Sequence, residues 1–324
     1  MINNERFIYG VQSALLGVAV GDALGVPAEF MSRASLANDP VTCMRGGGAH
    51  GQLPGTWSDD TSMTLCLMES LTAKGVDYHD QMSRYADWLN TANYTARGRV
   101  FDVGGTTGSA IDKFVGGAEP LECGDDSERS CGNGSLMRCI PAALYIKGLY
   151  DSHRLDDRGA EIIHSTSKCT HAHKRCQMAC GIFSNVVFAC FDCVSAAEMI
   201  DVGVADALSY YKERPDFAEV YDDFSSLTGI ALWPERDIRG SGYVLHTLQA
   251  ALWCLSTTSG YAECVLKAVN LGEDTDTTAA VAGGLAGLVY GEKAIPVDWI
   301  EQLAKHDEIK QRSTRFAYSC LERD

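Results

Sequence analysis

The chain has 324 residues, with 43 Asp plus Glu against 27 Lys plus Arg and a formal net charge of −16. A protein that holds nucleic acid through its phosphates needs a basic face, so this balance argues against nucleic acid as the main partner. At 46 % hydrophobic and 22 % charged residues, the composition is that of a globular chain with a sizeable core.

Near the N-terminus, Ala14 to Val20 has the apolar character of a signal peptide, but Glu5 and Arg6 leave the preceding segment without net positive side-chain charge. It reads as mature structure. No uninterrupted apolar run reaches the roughly 18 residues of a membrane span. The longest, Val281 to Tyr290, is interrupted by Gly283, Gly284 and Gly287, so no membrane span is expected. Leu65, Leu67, Met68 and Leu71 follow helical spacing up to the stop signal Gly75. From Tyr78, the positions Met82, Tyr85, Trp88 and Leu89 line one face of a helix for which Asp77 is the cap. Glu119 to Ser130 is polar and reads as a long loop.

The 13 cysteines are an odd number, scattered through apolar helical patterns, which points to reduced thiols in a cytoplasm. Cys190 and Cys193 form a C-x-x-C near Cys176 and Cys180; the apolar run before Phe191 makes a buried helix the better reading than a metal or redox site. Tyr243, Leu245, Leu248, Ala251, Leu252 and Leu255 form another helical stripe ending near Gly260. Strand alternation, internal repeats and linkers are lacking, so the predicted fold is mainly α in one domain over residues 1–324.

Two short segments hold more carboxylate than helix capping needs. Trp57-Ser58-Asp59-Asp60-Thr61 opens one apolar helix; Glu273-Asp274-Thr275-Asp276-Thr277-Thr278 opens another, whose Ala279, Ala280, Ala282, Gly283 and Gly284 suit close packing. Taken singly, each is an ordinary helix start, because Ser and Asp oxygens accept free backbone N–H groups and negative charge suits the dipole. If the two starts meet, Asp59, Asp60, Asp274 and Asp276 share one place. A helix end supplies only about half a positive charge, so four ionised carboxylates need cations or strongly raised pKa values. Two divalent cations balance them. The carboxylates with the hydroxyls of Ser58 and Thr277 form an oxygen-only set that suits Mg²⁺ or Mn²⁺ rather than zinc.

A wider set of motifs runs in the same order along the chain. Gly17-Val18-Ala19-Val20-Gly21-Asp22-Ala23-Leu24-Gly25 with Glu29-Phe30, then Ser58-Asp59-Asp60-Thr61, Asp102-Val103-Gly104, Gly132-Asn133-Gly134-Ser135-Leu136-Met137-Arg138, Thr170-His171-Ala172-His173, Gly242-Tyr243-Val244 and Asp274-Thr275-Asp276-Thr277 together resemble the ADP-ribosylglycohydrolases. The nearest likeness is to the bacterial dinitrogenase reductase-activating glycohydrolase type. The resemblance implies an all-α, single compact domain with a two-metal centre of Mg²⁺ or Mn²⁺ that hydrolyses the bond between ADP-ribose and an acceptor, most often a protein arginine. By matching position it implies that Ser58, Asp59 and Asp60 ligate one side of the metal pair and Asp274, Asp276 and Thr277 the other. Glu29 then sits by the ribose, Asp102 faces the reaction centre, and Asn133, Gly134 and Ser135 wrap the diphosphate and ribose. Gly104, Met137, His171 and Tyr243 complete the expected substrate contacts, Tyr243 by stacking on adenine or else as core, while His171 and His173 either line the site or are ordinary loop histidines. The sequence departs from the family pattern at Glu273, where Gly is usual, at Ser58, where Thr is commoner, and in lacking a Pro at His171-Ala172-His173.

The chemistry follows from general principles. Breaking the ribose C1–N bond develops positive charge on the sugar, which nearby carboxylates favour. Metal ions would orient the ribose hydroxyls and a water, and Asp102 or Asp60, with Glu29 as rival, would take the water's proton. The glycine-rich stretches at Gly104-Gly105 and Gly132 to Gly134 offer backbone N–H groups to a diphosphate, or are simply turns. Arg138 is read either as a phosphate contact or as the partner of a surface carboxylate. Two alternatives stay open: a non-catalytic ADP-ribose-binding regulator or toxin-blocking immunity protein, and a hydrolase of O-linked ADP-ribose or a related phosphoester. The expected partners are ADP-ribose, an ADP-ribosylated protein, and the ADP-ribosyltransferase, toxin or regulatory enzyme, whose modification is reversed.

Overall fold

A computed structural model describes residues 3–322. Its architecture is all-α: among the described residues, β pairing is confined to isolated bridges such as Gly132 with Tyr243. The central pair is the Asn4–Gly25 helix against the Thr275–Tyr290 helix. Residues four apart share a helix face, and on the first helix that face is Gly17, Gly21 and Gly25. A Cβ at Gly17 would lie 2.3 Å from Gly283 O, and one at Gly21 would lie 2.1 Å from Ala279 O, so the two backbones touch directly. At Gly25 the Cβ would lie 2.2 Å from Asp276 Cα, and Thr275 Oγ1 donates to Gly25 O at 2.7 Å. This contact seats the start of the second helix beside Asp22, one turn back along the first.

The Asn4–Ala28 segment is long and apolar enough, by length and composition, to cross a membrane, which counting uninterrupted apolar runs had overlooked. Within the fold, 83 % of that apolar window is buried. Its hydrophobicity is therefore used against the Thr275–Tyr290 helix and the core around it.

The other predicted helices form close to their expected bounds. The Asp59–Lys74 helix starts at Ser58 and stops at Gly75, whose φ of 65° suits a residue without Cβ. The Tyr78–Thr91 helix is capped by Asp77, which accepts from Asp80 N at 2.9 Å, and it buries Met82, Tyr85 and Trp88. The Val244–Ser256 helix ends just before Gly260. The predicted loop over residues 119–130 holds two short 3-10 turns, Pro120–Glu122 and Glu128–Ser130. Trp57 is buried and donates to Ala304 O at 2.9 Å. All 13 cysteines are unpaired, and the C-x-x-C lies at the end of the buried Lys174–Cys190 helix, where burial pushes the Cys190 thiol up to about 12.

Candidate active site and metal centre

The two acidic helix starts meet. Thr277, 217 residues from Asp60 in sequence, donates its hydroxyl to Asp60 Oδ2 at 3.2 Å, and the Ser58 hydroxyl donates to the same oxygen at 3.2 Å. Asp276 Oδ1 accepts from Thr277 N at 2.9 Å. The second oxygen of each acid, Asp60 Oδ1 and Asp276 Oδ2, is buried without a hydrogen-bond partner. A buried carboxylate oxygen left bare is costly, because it gives up hydration without replacement. Asp22, Asp60 and Asp276 each offer an oxygen within 4.8 Å of the others. Converging hard oxygens of this kind fit divalent cations; of the six expected ligands the group contains Asp60 and Asp276, with Asp22 in addition.

Asp22 was not among the expected site residues. It is the lone carboxylate on the apolar face of the Asn4–Gly25 helix and is fully buried. That isolation was the sequence signal for it. Its oxygens accept from Ser58 N at 2.8 and 3.0 Å, from Thr61 N at 3.0 Å and from Thr61 Oγ1 at 2.6 Å. Asp22 thus caps the Asp59–Lys74 helix from outside, satisfying N–H groups that a helix start leaves free. With those donors served, the Ser58 hydroxyl is free to turn to Asp60.

Above this floor lies a cavity of about 230 Å³ whose lining includes Glu29, Asp59, Asp102, Asp274 and Thr277 but no Lys or Arg. The expected substrate residues Gly104, Asn133, Gly134, Met137 and His171 also line it. Asn133 Nδ2 donates to Asp274 Oδ2 at 2.8 Å and to Thr247 Oγ1 at 2.9 Å, tying the glycine-rich loop to the second acidic start. Ser58, Asp60 and Asp276 lie beneath the wall rather than in it. Two expected contacts lie outside the lining. Ser135 is buried behind its loop, within hydrogen-bonding reach of Ser167 Oγ at 2.9 Å, and the Tyr243 ring stands edge-on to His246 at 5.0 Å while its neighbour Gly242 reaches the cavity.

Burial and mutual repulsion set the protonation. Asp59, Asp60 and Asp276 are pushed well above the usual carboxylate range, first by desolvation and then by one another's charges. Asp22 rises only to about 6, because hydrogen bonds from Thr61 and Ser58 oppose its burial. Glu29 is pushed up to about 9 by burial and then by the charge of Asp102. Burial also raises Asp102, but the His50 charge opposes it and a hydrogen bond with Glu29 lowers it further. Both carboxyl groups are thus raised, Glu29 far enough to hold a proton at neutral pH. His171 is buried, accepts or donates at Thr170 Oγ1 over 2.8 Å, and is held neutral by a pKa lowered to about 3.

Three local features complete the site. Arg138 contacts neither solvent nor a surface carboxylate. It is fully buried, donates to Tyr85 Oη at 2.8 Å, to Thr170 Oγ1 at 2.8 Å and to the Gly134 carbonyl, and so braces the cavity loop from behind. Glu273, where the resemblance leads to an expectation of Gly, adopts φ 66°, a left-handed conformation that favours glycine. Its N–H donates to Met31 O and its carbonyl accepts from Phe30 N, both at 2.7 Å. A further group, Glu128, Cys131 and His173, gathers within 4.8 Å. It is an ion-pair cluster by its chemistry: His173 Nδ1 accepts from Arg175 N, which leaves the proton on Nε2 facing Glu128 at 3.4 Å, and Arg175 takes the other Glu128 oxygen.

The comparisons with known proteins agree with this geometry. The family model described as ADP-ribosylglycohydrolase matches residues 5–323. An ADP-ribosyl-[dinitrogen reductase] glycohydrolase of Rhodospirillum rubrum is 32 % identical, covering 90 % of this chain and 88 % of that protein. An ADP-ribosylarginine hydrolase Tri1 of Pseudomonas putida is 30 % identical, covering 95 % of this chain and 77 % of that protein. These near-equal identities do not separate the dinitrogenase reductase-activating type from the Tri1 type. A solved structure titled ADP-ribosylglycohydrolase-related protein complex superposes with a TM-score of 0.78 at 28 % identity, covering 98 % of this chain and 99 % of the other. With the acidic centre in place and the match running over nearly the whole chain, the protein belongs to the ADP-ribosylglycohydrolase family of enzymes.

Proposed function

We propose that the protein is a metal-dependent hydrolase that removes ADP-ribose from modified arginine side chains of proteins by cleaving the N-glycosidic bond. The observation that carries this reading is a cavity lined by four acidic side chains and no Lys or Arg, set over two bare carboxylate oxygens. A ribosyl-guanidinium is cationic, and as the C1–N bond breaks that single positive charge passes from the guanidinium to the sugar, so the acidic wall faces a cation from reactant to transition state. An O-linked acceptor is neutral and offers the wall no charge before the bond breaks. Two similar proteins named as ADP-ribosylarginine hydrolases point the same way.

Ser58, Asp59, Asp60, Asp274, Asp276 and Thr277 would hold two Mg²⁺ or Mn²⁺ ions. When bound, such ions orient the ribose hydroxyls and a water and make that water more acidic. The chain's own groups do the rest. Asp102 accepts the water's proton, Glu29 keeps Asp102 in its accepting state by holding the shared proton, and the Gly104-Gly105 and Gly132 to Gly134 backbones face the diphosphate. As the C1–N bond breaks, its electron pair goes to the guanidine nitrogen and the water oxygen bonds to C1. The cavity of about 230 Å³ is smaller than the roughly 300–1,000 Å³ of pockets that enclose a drug-sized ligand, so ADP-ribose would extend beyond it. The 13 unpaired thiols support a reducing, cytoplasmic setting, where a transferase would supply the modified substrate.

Incubation with an ADP-ribosylated arginine substrate and Mg²⁺ or Mn²⁺ tests the proposal. Free ADP-ribose is the expected product. Release only from serine-linked substrate would move the assignment to the O-linked class. Calorimetric binding of ADP-ribose without release from either linkage, unaltered by Asp102→Asn, would identify a binding protein.

A further inference from the structure

Two segments reach the cavity by the same device. Glu29-Phe30 and Phe101-Asp102 each place a carboxylate in the lining with an aromatic residue next to it in sequence. His50 joins the two rings. Its centroid lies 5.8 Å from that of Phe30 and 5.1 Å from that of Phe101, and its Nε2 lies 2.5 Å from Glu29 Oε2.

Nothing in folding explains Phe30. Its side chain is 67 % exposed, and its backbone sits at φ 67°, held there by the hydrogen bond to Glu273 O. Asp102, on the other side of His50, sits at φ 53°. Left-handed conformations in non-glycine residues cost about 1–2 kcal/mol each and persist where the surrounding structure fixes them, commonly at ligand sites. Other rings of the chain already have a cation above them: Arg312 lies over Tyr94, Arg214 over Tyr210 and Lys267 over Trp253. Among the described residues, no Lys or Arg lies over Phe30 or Phe101, whose ring neighbour is His50.

We propose that Phe30, His50 and Phe101 form the acceptor subsite, an aromatic slot that, with the Glu29 and Asp102 carboxylates beneath it, holds a planar guanidinium. A ring face attracts a cation through its quadrupole, and the adjacent Asp102 adds charge attraction, with Glu29 as a hydrogen-bonding partner, that a neutral adenine would not share. The glycine-rich backbones at Gly104-Gly105 and Gly132 to Gly134 give the nucleotide its own exit from the cavity. The slot rests on the arginine reading above, and it adds the residues that choose the acceptor.

The test is a kinetic and binding comparison of Phe30→Ala, Phe101→Ala and Phe30→Trp with the wild type. Phe30 is exposed, so its variants should fold. Removing one ring should lower kcat/KM on ADP-ribosyl-arginine about 2- to 30-fold, chiefly through KM, which is the range of a cation–π contact. The calorimetric Kd for free ADP-ribose should stay within about 2-fold, and Phe30→Trp should restore KM. Unchanged KM in both alanine variants, or an equal loss of ADP-ribose affinity, overturns the slot. A separate measurement titrates agmatine, a free guanidinium, into the ADP-ribose complex; binding that weakens in Phe30→Ala supports the slot, and binding that does not weaken counts against it. A wild type that releases nothing from the arginine substrate fails the functional reading, and the agmatine titration then judges the slot alone.

Discussion

Two of the places where the protein buries charge are built in opposite ways. Behind the cavity loop, the fully buried Arg138 guanidinium is surrounded by acceptors, the Tyr85 hydroxyl, the Thr170 hydroxyl and the Gly134 carbonyl, with the Tyr85 ring 4.9 Å away. Below the cavity, Asp60 and Asp276 are just as buried, but each leaves one oxygen bare. A buried charge whose hydrogen-bonding capacity is filled by the chain serves the fold, because everything it needs is already present. Bare buried acceptors, crowded by like charges, describe a structure completed by something from outside. The comparison separates a structural cation from an acidic functional centre by hydrogen-bond accounting, without reference to relatives.

The sharpest way to break this contrast is to remove the bare oxygens. Asp60→Ala or Asp276→Ala should lower ADP-ribose release by more than the roughly 10–100-fold typical of outer-shell partners, with helix content by circular dichroism unchanged. Wild-type turnover in either variant would remove the metal centre from the account. On the structural side, Arg138→Met should destabilise the protein by about 3 kcal/mol or more in urea unfolding, since it strands several buried acceptors at once, while leaving metal affinity near wild type.

Added Mg²⁺ or Mn²⁺ at about 100 times Kd should stabilise the wild type by about 2.7 kcal/mol in thermal unfolding, and should do little for Asp60→Ala. The effect has a pH sign. Asp22, at about 6, and Glu29, at about 9, have folded pKa values above those of an unfolded chain. Their contribution to the metal-free protein is therefore full below about pH 4 and is lost as pH rises through 6 and then 9. The proposed ligands Asp59, Asp60 and Asp276 are raised well above the usual range and must lose their protons to hold metal, so the stabilising effect of added metal should grow as pH rises. The smallest expected change is at Glu273, where Glu273→Gly should add about 1 kcal/mol by relieving the left-handed strain at φ 66°. A loss of stability there would mean that the Glu273 side chain contributes more than its backbone costs.

Much of the centre was legible because its signals are local. A Ser or Asp before an apolar run marks a helix start within a few residues, so Ser58-Asp59-Asp60 and Asp274-Thr275-Asp276 could be read as helix starts with excess charge. Asp22 escaped notice because its partners, Ser58 and Thr61, lie 36 and 39 residues away. Arg138 was misjudged for the same reason: its acceptors come from the Tyr78–Thr91 helix, from Thr170 and from its own loop, and only packing brings them together. Ser135 and Tyr243 share motifs with residues that line the cavity, yet their side chains lie behind or beside it; adjacency in sequence does not fix which neighbour faces a pocket.

By itself the sequence determined the helical class, the two acidic starts, the glycine stripe that permits close helix contact and the excess of negative charge, because each depends on spacing and residue chemistry along a short stretch. Tertiary structure alone decided that the starts share one centre, which oxygens lack partners, and that a strained, exposed ring stands at its rim. Those are facts of approach between segments more than 200 residues apart, and the free energy of a buried charge depends on what surrounds it in space.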